Sequence, residues 1–518
     1  MKLDDEIMNY GFNNLDTSVL DGIYIRNKID HILGIYNNDP IEVGEKFEFE
    51  NMSAHDLYED IRKFLSEKID DENETNLIID QIFGELMPLP SEISRKFYSF
   101  KKSDDGMSYL RRLSENSNYI NLFNIKKNFK WTKKLENNEI QLTINLSKPE
   151  KSNKDIAKAA KEKVSDSDSP KCVLCAENEG FYGNSKKTPR STLRMIPFSF
   201  SPTDLWYIQF SPYVYFENHI ILLNSKHVPM TIETKTIERF IKFVDSFPSY
   251  FVGSNADLPI VGGSILSHEH YQGGTHELPI FKAKNKLRLH DEKVSGEIYW
   301  LDWYNSTIKV VTENPAELVY FSEKVMEIWK KYEDKNLNII PESDGVRHNT
   351  ITPILRKKNK KYELYMILRC NYCNEEYPDG VFHVHPEYYN IKKEGIGLIE
   401  AQGLFILPGR LYGEIELIEK YFEEKPNLDE YIKDHPELEV HYDMIKRIEE
   451  NYNAEEFVKI QILREISNEG VGILKNTAVF KEDQEEELSK FFKKCKLDII
   501  KMEKEKHGTK KKGFRRTR

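Results

Sequence analysis

Hydrophobic side chains recur at helical spacing through the first 135 residues of the chain. In Leu57–Leu65, for example, apolar residues return every three or four positions, which places them along one face of a helix. We therefore predict a mainly helical N-terminal region over residues 1–135, which contributes packing rather than chemistry. A charged pattern with the same helical period returns over residues 426–500 and predicts a helical C-terminal region.

Short runs of β-branched and aromatic residues replace this pattern in the middle of the chain. Ile220–Leu223 has the length and composition of a strand, whereas Ile237–Val244 has helical spacing. A second set of strands is predicted around Leu318, Ile351 and Leu364–Leu368. We therefore expect the middle of the chain to combine short strands with helices.

Two polar segments interrupt or end these patterns. Residues 152–170 contain mainly Lys, Ala, Ser and Asp and finish in Ser-Pro, a composition typical of an exposed helix and a flexible turn at a domain boundary. Residues 501–518 are rich in Lys and Arg and have no apolar period, which predicts a basic disordered tail. The alternative is that this tail binds nucleic acid or a partner.

Composition and charge narrow the classes of function. A chain of 518 residues with 39% hydrophobic and 12% aromatic residues is expected to fold into more than one compact unit. Its net charge of −11 argues against a nucleic-acid-binding surface, so phosphate groups would be recognised by a few placed cations and backbone amides. No apolar run approaches the roughly 18 residues of a membrane span. We expect a cytoplasmic protein with neither nucleic acid nor a membrane as its partner.

A row of polar residues between glycines gives the strongest chemical signal. In an extended strand, His268, His270 and Gln272 would share one face. A neutral imidazole can attack phosphorus and hold a nucleotidyl group covalently, while a neighbouring amide donates to the non-bridging oxygens. Gly262 and Gly263, which precede this row, would let backbone N–H groups approach an anion. The row therefore predicts a site for phosphate chemistry.

A pair of cysteines indicates a metal site. Cys172 and Cys175 have the spacing with which two thiolates hold a tetrahedral ion, and two further ligands are then needed. Buried reduced cysteines are the alternative, because five cysteines in 518 residues are too few for a disulfide scaffold. We interpret the second such pair, Cys370 and Cys373, as incidental.

Several segments together resemble one enzyme family. Residues 253–274 are similar to the class II, Firmicutes-type galactose-1-phosphate uridylyltransferases (UDP-glucose–hexose-1-phosphate uridylyltransferases) of the histidine-triad superfamily. Further similar segments are residues 141–151, 211–219, 348–353, 380–387 and 391–400. The resemblance implies an α+β fold with two histidine-triad-like halves, residues 136–300 and 301–425, that contain antiparallel sheets.

The resemblance also implies an activity in galactose metabolism. UMP would pass between UDP-glucose and galactose 1-phosphate by ping-pong chemistry, with His270 as the nucleophile and a strand carbonyl accepting the proton of its other ring nitrogen. Gln272 would favour transfer over hydrolysis, because an amide does not titrate. Related enzymes hold a structural zinc ion with a cysteine pair and two histidines. The matching ligands here are Cys172, Cys175, His268 and His227, with His219 as the competing fourth ligand.

The remaining assignments concern the substrates. Asn255 resembles a family asparagine near the phosphate, and Glu400 lies in a segment like the family's sugar-binding stretch. Lys148 and Lys151 look like the counterparts of an arginine pair in class I enzymes. Further candidates for contacts to the phosphates or the hexose are Gly262, Gly263, Ser264, Ser267, Arg194, Lys392 and Lys393.

Alternatives to this function stay open at the level of the sequence. One is a histidine-triad phosphorylase or hydrolase that acts on another nucleotide sugar, and the other is a catalytically inactive, zinc-stabilised binding module. Asn184 stands where relatives more often carry an arginine, which removes the charge of one nucleotide contact. We interpret His383 and His385 as structural or substrate-side residues. Class I members are often dimers, so a homodimer is a further expectation.

Overall fold

The computed structural model describes residues 2–35, 52–135, 137–147, 169–184 and 187–500. The glycine-rich row, the first cysteine pair and the hexose-side residues all lie within these ranges. Four predictions fall outside them, namely Lys148, Lys151, most of the polar segment 152–170 and the basic tail 501–518.

The described part of the N-terminal region is helical up to Ile125, as the hydrophobic period predicts, but the end of the predicted range forms a strand, Phe129–Lys134. Ser53 and Asp56 form a capping box at the start of one helix, where each side chain accepts from the other residue's backbone N–H. Leu57, Ile61 and Leu65 of that helix are buried. No helix of the described residues is long and apolar enough to cross a membrane. The helices are α1 (Leu3–Asn14), α2 (Gly22–Leu33), α3 (Ala54–Ser66), α4 (Glu72–Leu86), α5 (Pro90–Ser99), α6 (Ser103–Asn116) and α7 (Leu122–Ile125).

The strands of the described residues form one large and two small sheets. They are β1 (Phe129–Lys134), β2 (Glu139–Ile144), β3 (Ile196–Ser201), β4 (Asp204–Phe210), β5 (Ile220–Asn224), β6 (Phe251–Gly253), β7 (His270–Gly274), β8 (Lys284–His290), β9 (Glu297–Asp302), β10 (Thr307–Thr312), β11 (Glu342–Ser343), β12 (Val346–Arg347), β13 (Asn349–Lys358), β14 (Lys361–Cys370), β15 (Leu404–Leu407) and β16 (Asp498–Ile500). The large sheet has the order β16-β8-β9-β10-β14-β13-β6-β7-β5-β4-β3, and its neighbouring strands are antiparallel.

Two groups of strands meet edge to edge inside this sheet. The first group contains β3 to β7, and the second contains β8, β9, β10, β13, β14 and β16. Strand β6 pairs with β13 through Gly253 with Ile354 and Val252 with Leu355. The glycine-rich row belongs to the first group, on the β6 side of this junction. The arrangement confirms the α+β class and the antiparallel sheets. The boundary predicted at residue 300 falls inside β9, and the division of the chain into units stays a prediction.

Helices cover both faces of the large sheet. On one face, α8 and α9 share a core with Trp206 and Tyr271. On the other face, a second core contains Phe251, Tyr365 and the C-terminal helices, together with the small sheet β1-β2-β15. The remaining helices are α8 (Thr234–Ser246), α9 (Pro315–Trp329), α10 (Leu398–Ala401), α11 (Arg410–Glu424), α12 (Leu428–Asp434), α13 (Tyr442–Glu450), α14 (Val458–Asn476) and α15 (Glu485–Lys494).

The strand predicted around Leu318 is wrong, because this residue lies in α9. The Asn314 side chain caps the helix by accepting from a backbone N–H of its first turn, and Pro315 occupies the first helical position. Leu318, Phe321 and Val325 are buried at intervals of three and four residues. The segment therefore has a helical period that a short apolar run does not reveal.

Candidate active site and metal centre

Strand β7 carries the candidate nucleophile between β5 and β6. His270 pairs with Leu223 of β5, while Gln272 pairs with Ile221 of β5 and with Gly253 of β6. Alternation along the strand puts His270 and Gln272 on one face. Strand β7 is the neighbour of β6, the strand that forms the junction with β13 of the second group.

The buried Arg239 contacts the side chains on the opposite side of the row, Glu269 and Tyr271. Arg239 of α8 binds both carboxylate oxygens of Asp204, at 2.9 and 3.0 Å. It also donates to Glu269 at 2.7 Å and to the Tyr271 hydroxyl at 2.9 Å, and its guanidinium lies 4.7 Å from the centre of the Trp206 ring. Each buried charge is thus compensated. Glu269 and Tyr271 are fixed on the side away from the candidate nucleophile.

The His270 imidazole has one defined tautomer. Its Nδ1 lies 2.8 Å from the backbone carbonyl oxygen of His268, so Nδ1–H donates and Nε2 keeps its lone pair. Burial lowers the pKa of His270 to about 4, which keeps the ring neutral near pH 7. A neutral imidazole with one free nitrogen is the form that attacks phosphorus.

A second buried histidine contacts Gln272. His219 Nε2 lies 2.9 Å from Gln272 Oε1, and the His219 ring centre lies 4.2 Å from that of Phe216. Only 2% of His219 is exposed, and burial lowers its pKa to about 4. The contact with His219 gives Gln272, the third residue of the row, a fixed partner.

Two cysteines and two histidines form a compact cluster beside this row. Cys172 Sγ lies 3.7 Å from Cys175 Sγ and 3.3 Å from His268 Nδ1. Cys175 Sγ lies 3.2 Å from His227 Nδ1. All four candidate ligand atoms lie within 4.8 Å of one another. Within the described ranges, no other group of His, Cys, Asp and Glu side chains converges in this way.

The alternative ligands do not join this cluster. His219, the competing fourth ligand, contacts Gln272 instead. Cys370 and Cys373 are free thiols and are absent from the group of four. The structure therefore brings together His227 and the first cysteine pair.

The geometry of the cluster fits a tetrahedral metal ion. Two Zn–S bonds of about 2.3 Å at the tetrahedral angle would put the sulfur atoms about 3.8 Å apart, close to the distance between Cys172 and Cys175. His268 Nε2 lies 2.8 Å from the carbonyl oxygen of Asn224 and donates to it, which leaves Nδ1 free for an ion. The hydrogen bond from the Cys172 thiol lowers the pKa of Cys175 well below its usual range, which favours a thiolate at Cys175. The cluster could therefore bind a metal ion.

The glycine pair before β7 makes room for Asn255. A Cβ at Gly263 would stand 2.5 Å from Asn255 Nδ2, and a Cβ at Gly262 would stand 2.5 Å from the carbonyl oxygen of Leu258. Asn255 Oδ1 accepts from the backbone N–H of Leu398 at 2.7 Å. The asparagine therefore connects the glycine loop to the start of α10.

The same loop contains a tight turn just before the glycines. Ile260 has a φ of 71°, and Val261 N donates to the carbonyl oxygen of Pro259 at 2.8 Å. This is a γ-turn of the kind that β-branched residues rarely adopt. Ser264 and Ser267 follow it and are exposed, so their hydroxyls are accessible to a ligand.

Glu400 and Lys392 form a buried ion pair at α10. Glu400 Oε2 accepts from the backbone N–H of Gly397 at 3.2 Å, and its Oε1 lies 3.2 Å from Lys392 Nζ. Both residues are less than 10% exposed, whereas Lys393 is exposed. Glu400 lies on the helix whose first turn Asn255 contacts.

Arg194 contacts the N-terminal helical region. Its guanidinium donates to the carbonyl oxygens of Ser191 at 2.7 Å, Pro88 at 3.1 Å and Gly84 at 3.4 Å. All three of its nitrogens are thus bound to backbone carbonyls, and these contacts tie the segment before β3 to the end of α4. Asn184, the departure from the family pattern, is exposed.

His383 and Arg369 are two buried basic residues, and Arg369 belongs to β14. His383 is 5% exposed, and neither of its ring nitrogens has a hydrogen-bond partner among the described residues. Arg369 is 1% exposed and donates to the carbonyl oxygen of Ile396 at 2.7 Å. His385 Nε2 donates to the carbonyl oxygen of Val381 at 3.0 Å. Neither histidine belongs to a metal-binding group of the described residues.

Sequence reasoning missed two parts of this arrangement. The role of Arg239 was not anticipated, although a charged residue inside the apolar period of Ile237–Val244 was an available signal. Asp204 and Glu269, acidic residues in or beside strands, were the matching signal for its partners. No local pattern connects His219 with Gln272, so only the tertiary structure reveals that contact.

Comparisons with known proteins agree with this geometry. Residues 20–229 match the family model described as galactose-1-phosphate uridyl transferase, N-terminal domain, and residues 242–439 match the model of the C-terminal domain. A galactose-1-phosphate uridylyltransferase of Clostridium acetobutylicum is 41% identical over 419 residues, which cover 79% of this chain and 82% of that protein. The chain belongs to the galactose-1-phosphate uridylyltransferase family. The resemblance that the sequence motifs indicate is therefore confirmed.

Two other curated members of the galactose-1-phosphate uridylyltransferase family match over more of the chain. The protein of Clostridium perfringens (strain SM101 / Type A) is 39% identical over 497 residues, which cover 93% of this chain and 96% of the relative. The protein of Lactococcus lactis subsp. cremoris (strain MG1363) is 37% identical over 495 residues, with the same two shares. No solved structure matches the chain.

The candidate site is divided between the two matched family domains. Cys172, Cys175 and His227 lie in the segment that matches the N-terminal domain, whereas His268 and His270 lie in the segment that matches the C-terminal domain. The candidate metal cluster therefore joins the two segments directly beside the candidate nucleophile.

Proposed function

We propose that this protein transfers UMP from UDP-glucose to galactose 1-phosphate through a uridylyl-His270 intermediate. The products are glucose 1-phosphate and UDP-galactose, and the enzyme is a nucleotidyltransferase. The observation that carries the proposal is the hydrogen bond from His270 Nδ1–H to the carbonyl oxygen of His268. It leaves Nε2 as a free nucleophile on a neutral ring.

The reaction has two symmetrical halves. In the first, the Nε2 lone pair of His270 attacks the α-phosphorus of UDP-glucose, the P–N bond forms, and the bond to the bridging oxygen breaks to release glucose 1-phosphate. In the second, a phosphate oxygen of galactose 1-phosphate attacks the same phosphorus and the P–N bond breaks. The incoming phosphate is already an anion, so no side chain has to remove a proton from it. Ping-pong kinetics follow from the shared intermediate.

Gln272 and the glycine loop would stabilise the phosphoryl oxygens. The Gln272 amide lies two residues from His270 on the same face of β7 and can donate to a non-bridging oxygen as negative charge builds. Asn255 and the exposed hydroxyls of Ser264 and Ser267 are the further donors that we propose around the phosphate. Their position beside a loop of close backbone contacts supports this assignment.

Two lysines and the glycine pair complete the proposed phosphate site. The resemblance supports Lys148 and Lys151 as its cations, although both lie outside the described residues. Gly262 and Gly263 contribute space and backbone N–H groups rather than side chains. Since every Arg194 nitrogen is bound to a backbone carbonyl, we leave Arg194 out of the site.

Glu400 and Lys392 are the residues that we propose for the hexose side. A carboxylate can accept hydrogen bonds from two sugar hydroxyls, and Lys392 Nζ lies 3.2 Å from the Glu400 carboxylate. The contact between Asn255 and the first turn of α10 supports this choice, because it brings the phosphate side and the hexose side of the site together.

Zinc is the ion that we propose for Cys172, Cys175, His227 and His268. Two thiolates and two imidazoles are donors that zinc favours, and four protein ligands leave no position for substrate. When bound, the ion would act structurally. It would hold the start of β7 and, through the His268 carbonyl, the orientation of His270.

Intact-protein mass spectrometry after exposure to UDP-glucose alone tests the proposal. We expect the mass of one uridylyl group to be added to the wild-type chain, and we expect galactose 1-phosphate to remove it. His270→Ala should form no adduct, whereas His290→Ala, a change at an exposed position, should label like the wild type. Turnover by the His270→Ala protein at the wild-type rate would exclude His270 as the nucleophile. Release of UMP to water or phosphate in preference to hexose 1-phosphate would indicate a hydrolase or a phosphorylase.

A further inference from the structure

We infer that His219 is a positioning residue for the transfer reaction, because it holds the Gln272 side chain with its NH₂ group turned towards the phosphoryl oxygens. The inference rests on the proposed function, in which His270 carries the uridylyl group. It assigns to His219 a task that neither the sequence motif nor a metal-ligand role provides.

The backbone fixes the place of His219 before its side chain acts. Its carbonyl oxygen accepts from the backbone N–H of Ser211 at 2.9 Å, and its own N–H donates to the carbonyl oxygen of Phe216 at 3.2 Å. The next residues form β5, in which Ile221 pairs with Gln272. His219 therefore stands immediately before the strand that pairs with the strand of Gln272.

Aromatic rings fix the orientation of the imidazole. The Phe216 ring centre lies 4.2 Å from that of His219, and the Tyr215 ring is stacked on it at 5.6 Å. The ring has almost no contact with solvent, since His219 is 2% exposed. Only its Nε2 has a hydrogen-bond partner among the described residues, and that partner is Gln272 Oε1 at 2.9 Å.

The position of the single proton on His219 decides which way Gln272 points. Burial lowers the pKa of His219 to about 4, so the neutral ring carries one proton near pH 7. A proton on Nδ1 would be a buried N–H without an acceptor, because His219 Nδ1 has no partner in the described structure. Orphaned buried N–H groups are rarer and costlier than unused acceptors. The proton therefore belongs on Nε2, which donates to Gln272 Oε1.

This hydrogen bond breaks the near-symmetry of the Gln272 amide. The oxygen and the NH₂ group have almost the same shape, so packing alone does not distinguish them. With its oxygen engaged by His219, the amide presents NH₂ to its remaining neighbours. In the opposite orientation, the amide oxygen would face phosphoryl oxygens and repel them. His219 thus ensures that Gln272 acts as a donor in both half-reactions.

Substitutions at His219 separate this role from a packing role. His219→Phe keeps the ring and its contacts but has no donor. His219→Gln places an amide NH₂ near the position of Nε2, whereas His219→Asn places one near the position of Nδ1. We expect the donor at the Nε2 position to support catalysis and the donor at the Nδ1 position to fail.

The test measures the single-turnover rate of uridylylation by UDP-glucose, followed by intact mass in the full-length protein. We expect His219→Phe and His219→Asn to slow it about 100- to 1,000-fold, the range expected when one donor to the transition state is lost. His219→Gln should recover most of the wild-type rate. Melting temperatures of the variants should stay close together, because the aromatic surroundings of the side chain are unchanged.

A double-mutant cycle tests whether His219 acts through Gln272. If it does, the variant that combines His219→Phe with Gln272→Ala should react no more slowly than Gln272→Ala alone. Multiplication of the two single effects would overturn the inference. The control is His276→Phe, which removes a similar contact of 2.7 Å between His276 and Gln141 and should leave uridylylation at the wild-type rate.

The outcomes distinguish failure of the inference from failure of the proposed function. A wild-type protein that forms no uridylyl adduct would refute the proposed function. A wild-type protein that labels rapidly, with His219→Phe labelling equally fast, would refute only the role of His219. If His219→Phe does not fold, the comparison of His219→Gln with His219→Asn still decides, and equal rates for these two would overturn the inference.

Discussion

Gly263 and Asn255 lie so close together that a Cβ on the glycine would stand 2.5 Å from the asparagine Nδ2. Such a distance lies well inside van der Waals contact, so any side chain at position 263 must displace Asn255. Asn255 also accepts a hydrogen bond from Leu398 at the start of α10. A small change in the glycine loop would therefore reach both the phosphate side and the hexose side of the site.

The first prediction concerns Gly263→Ala. We expect kcat/KM to fall at least about tenfold, because displacement of a positioning group by about 1 Å is enough for such losses. The matched control is Gly413→Ala in α11, where a Cβ would meet no atom within 4 Å. That change should leave activity unaltered and raise the free energy of unfolding by about 0.5–1 kcal/mol. Full activity of Gly263→Ala would contradict the placement of Asn255 at the phosphate.

The second prediction concerns the buried arginine behind β7. Arg239→Met removes the partner of two carboxylates, Asp204 and Glu269, and should lower the free energy of unfolding by about 3–5 kcal/mol. The control is Lys235→Met on the same helix, since Lys235 lies 3.5 Å from Asp204 but has a 53% exposed side chain. We expect that change to cost less than about 1 kcal/mol. Urea unfolding of both variants measures the difference, and similar midpoints for the two would contradict it.

The third prediction concerns metal content. Purified wild-type protein should contain one zinc ion per chain by elemental analysis, and Cys172→Ser should lose it together with thermal stability. Cys373→Ser, a change in the second cysteine pair, should retain the ion. Zinc loss in both variants would mean that the second pair is not incidental.

The same measurement distinguishes the two candidate histidine ligands. His227→Ala should lose zinc because His227 Nδ1 faces the Cys175 thiol, whereas His219→Phe should keep it. Retention of zinc by His227→Ala would contradict the four-ligand cluster.

The fourth prediction concerns stability in acid. Burial, together with Arg369, lowers the pKa of His383 to about 4, while Asp379 acts in the opposite direction. Between pH 6.5 and 4 the unfolded chain therefore binds more protons at this residue than the folded chain does. The contribution to stability is complete above pH 6.5 and is lost as the pH falls towards 4. A shift from 6.5 to about 4 corresponds to about 3 kcal/mol.

His383→Leu should remove this part of the pH dependence. The side chain has no hydrogen bond to lose among the described residues, so the variant should fold at neutral pH. Urea unfolding at pH 7 and pH 4.5 should show a smaller loss of stability for this variant than for the wild type. His290→Leu, at an exposed position, should behave like the wild type, and parallel losses in all three proteins would contradict the prediction.

The strand that carries His270 was predictable because its signal is local. Polar residues at every second position, with glycines on both sides, indicate a ligand-facing strand without reference to the rest of the chain. Only His270 and Gln272 of the predicted row lie in β7, however, because His268 lies in a bend before the strand and contacts Cys172. The helix of Leu57–Leu65 was predictable because its signal is local as well. Leu318 was assigned to a strand because a short apolar run fits the period of a strand and the period of a helix. The helix cap at Asn314 is the sequence feature that distinguishes the two.

Contacts between distant residues account for what sequence analysis did not find. His219 and Gln272 are 53 residues apart, and Arg239 lies 35 residues from Asp204. No periodic pattern reports on such pairs. The family resemblance left His219 as a competing metal ligand, and only the tertiary structure places it at Gln272 and His227 at the cysteines. The ligand set was predictable only as a choice between two histidines.

The pairing of β6 with β13 has a consequence for how substrates exchange. A hinge motion between the two groups of strands would have to break the pairing of β6 with β13, which lies one strand away from His270. We therefore expect exchange of the sugar phosphates in the proposed reaction to depend on movement of surface loops rather than on opening of the sheet.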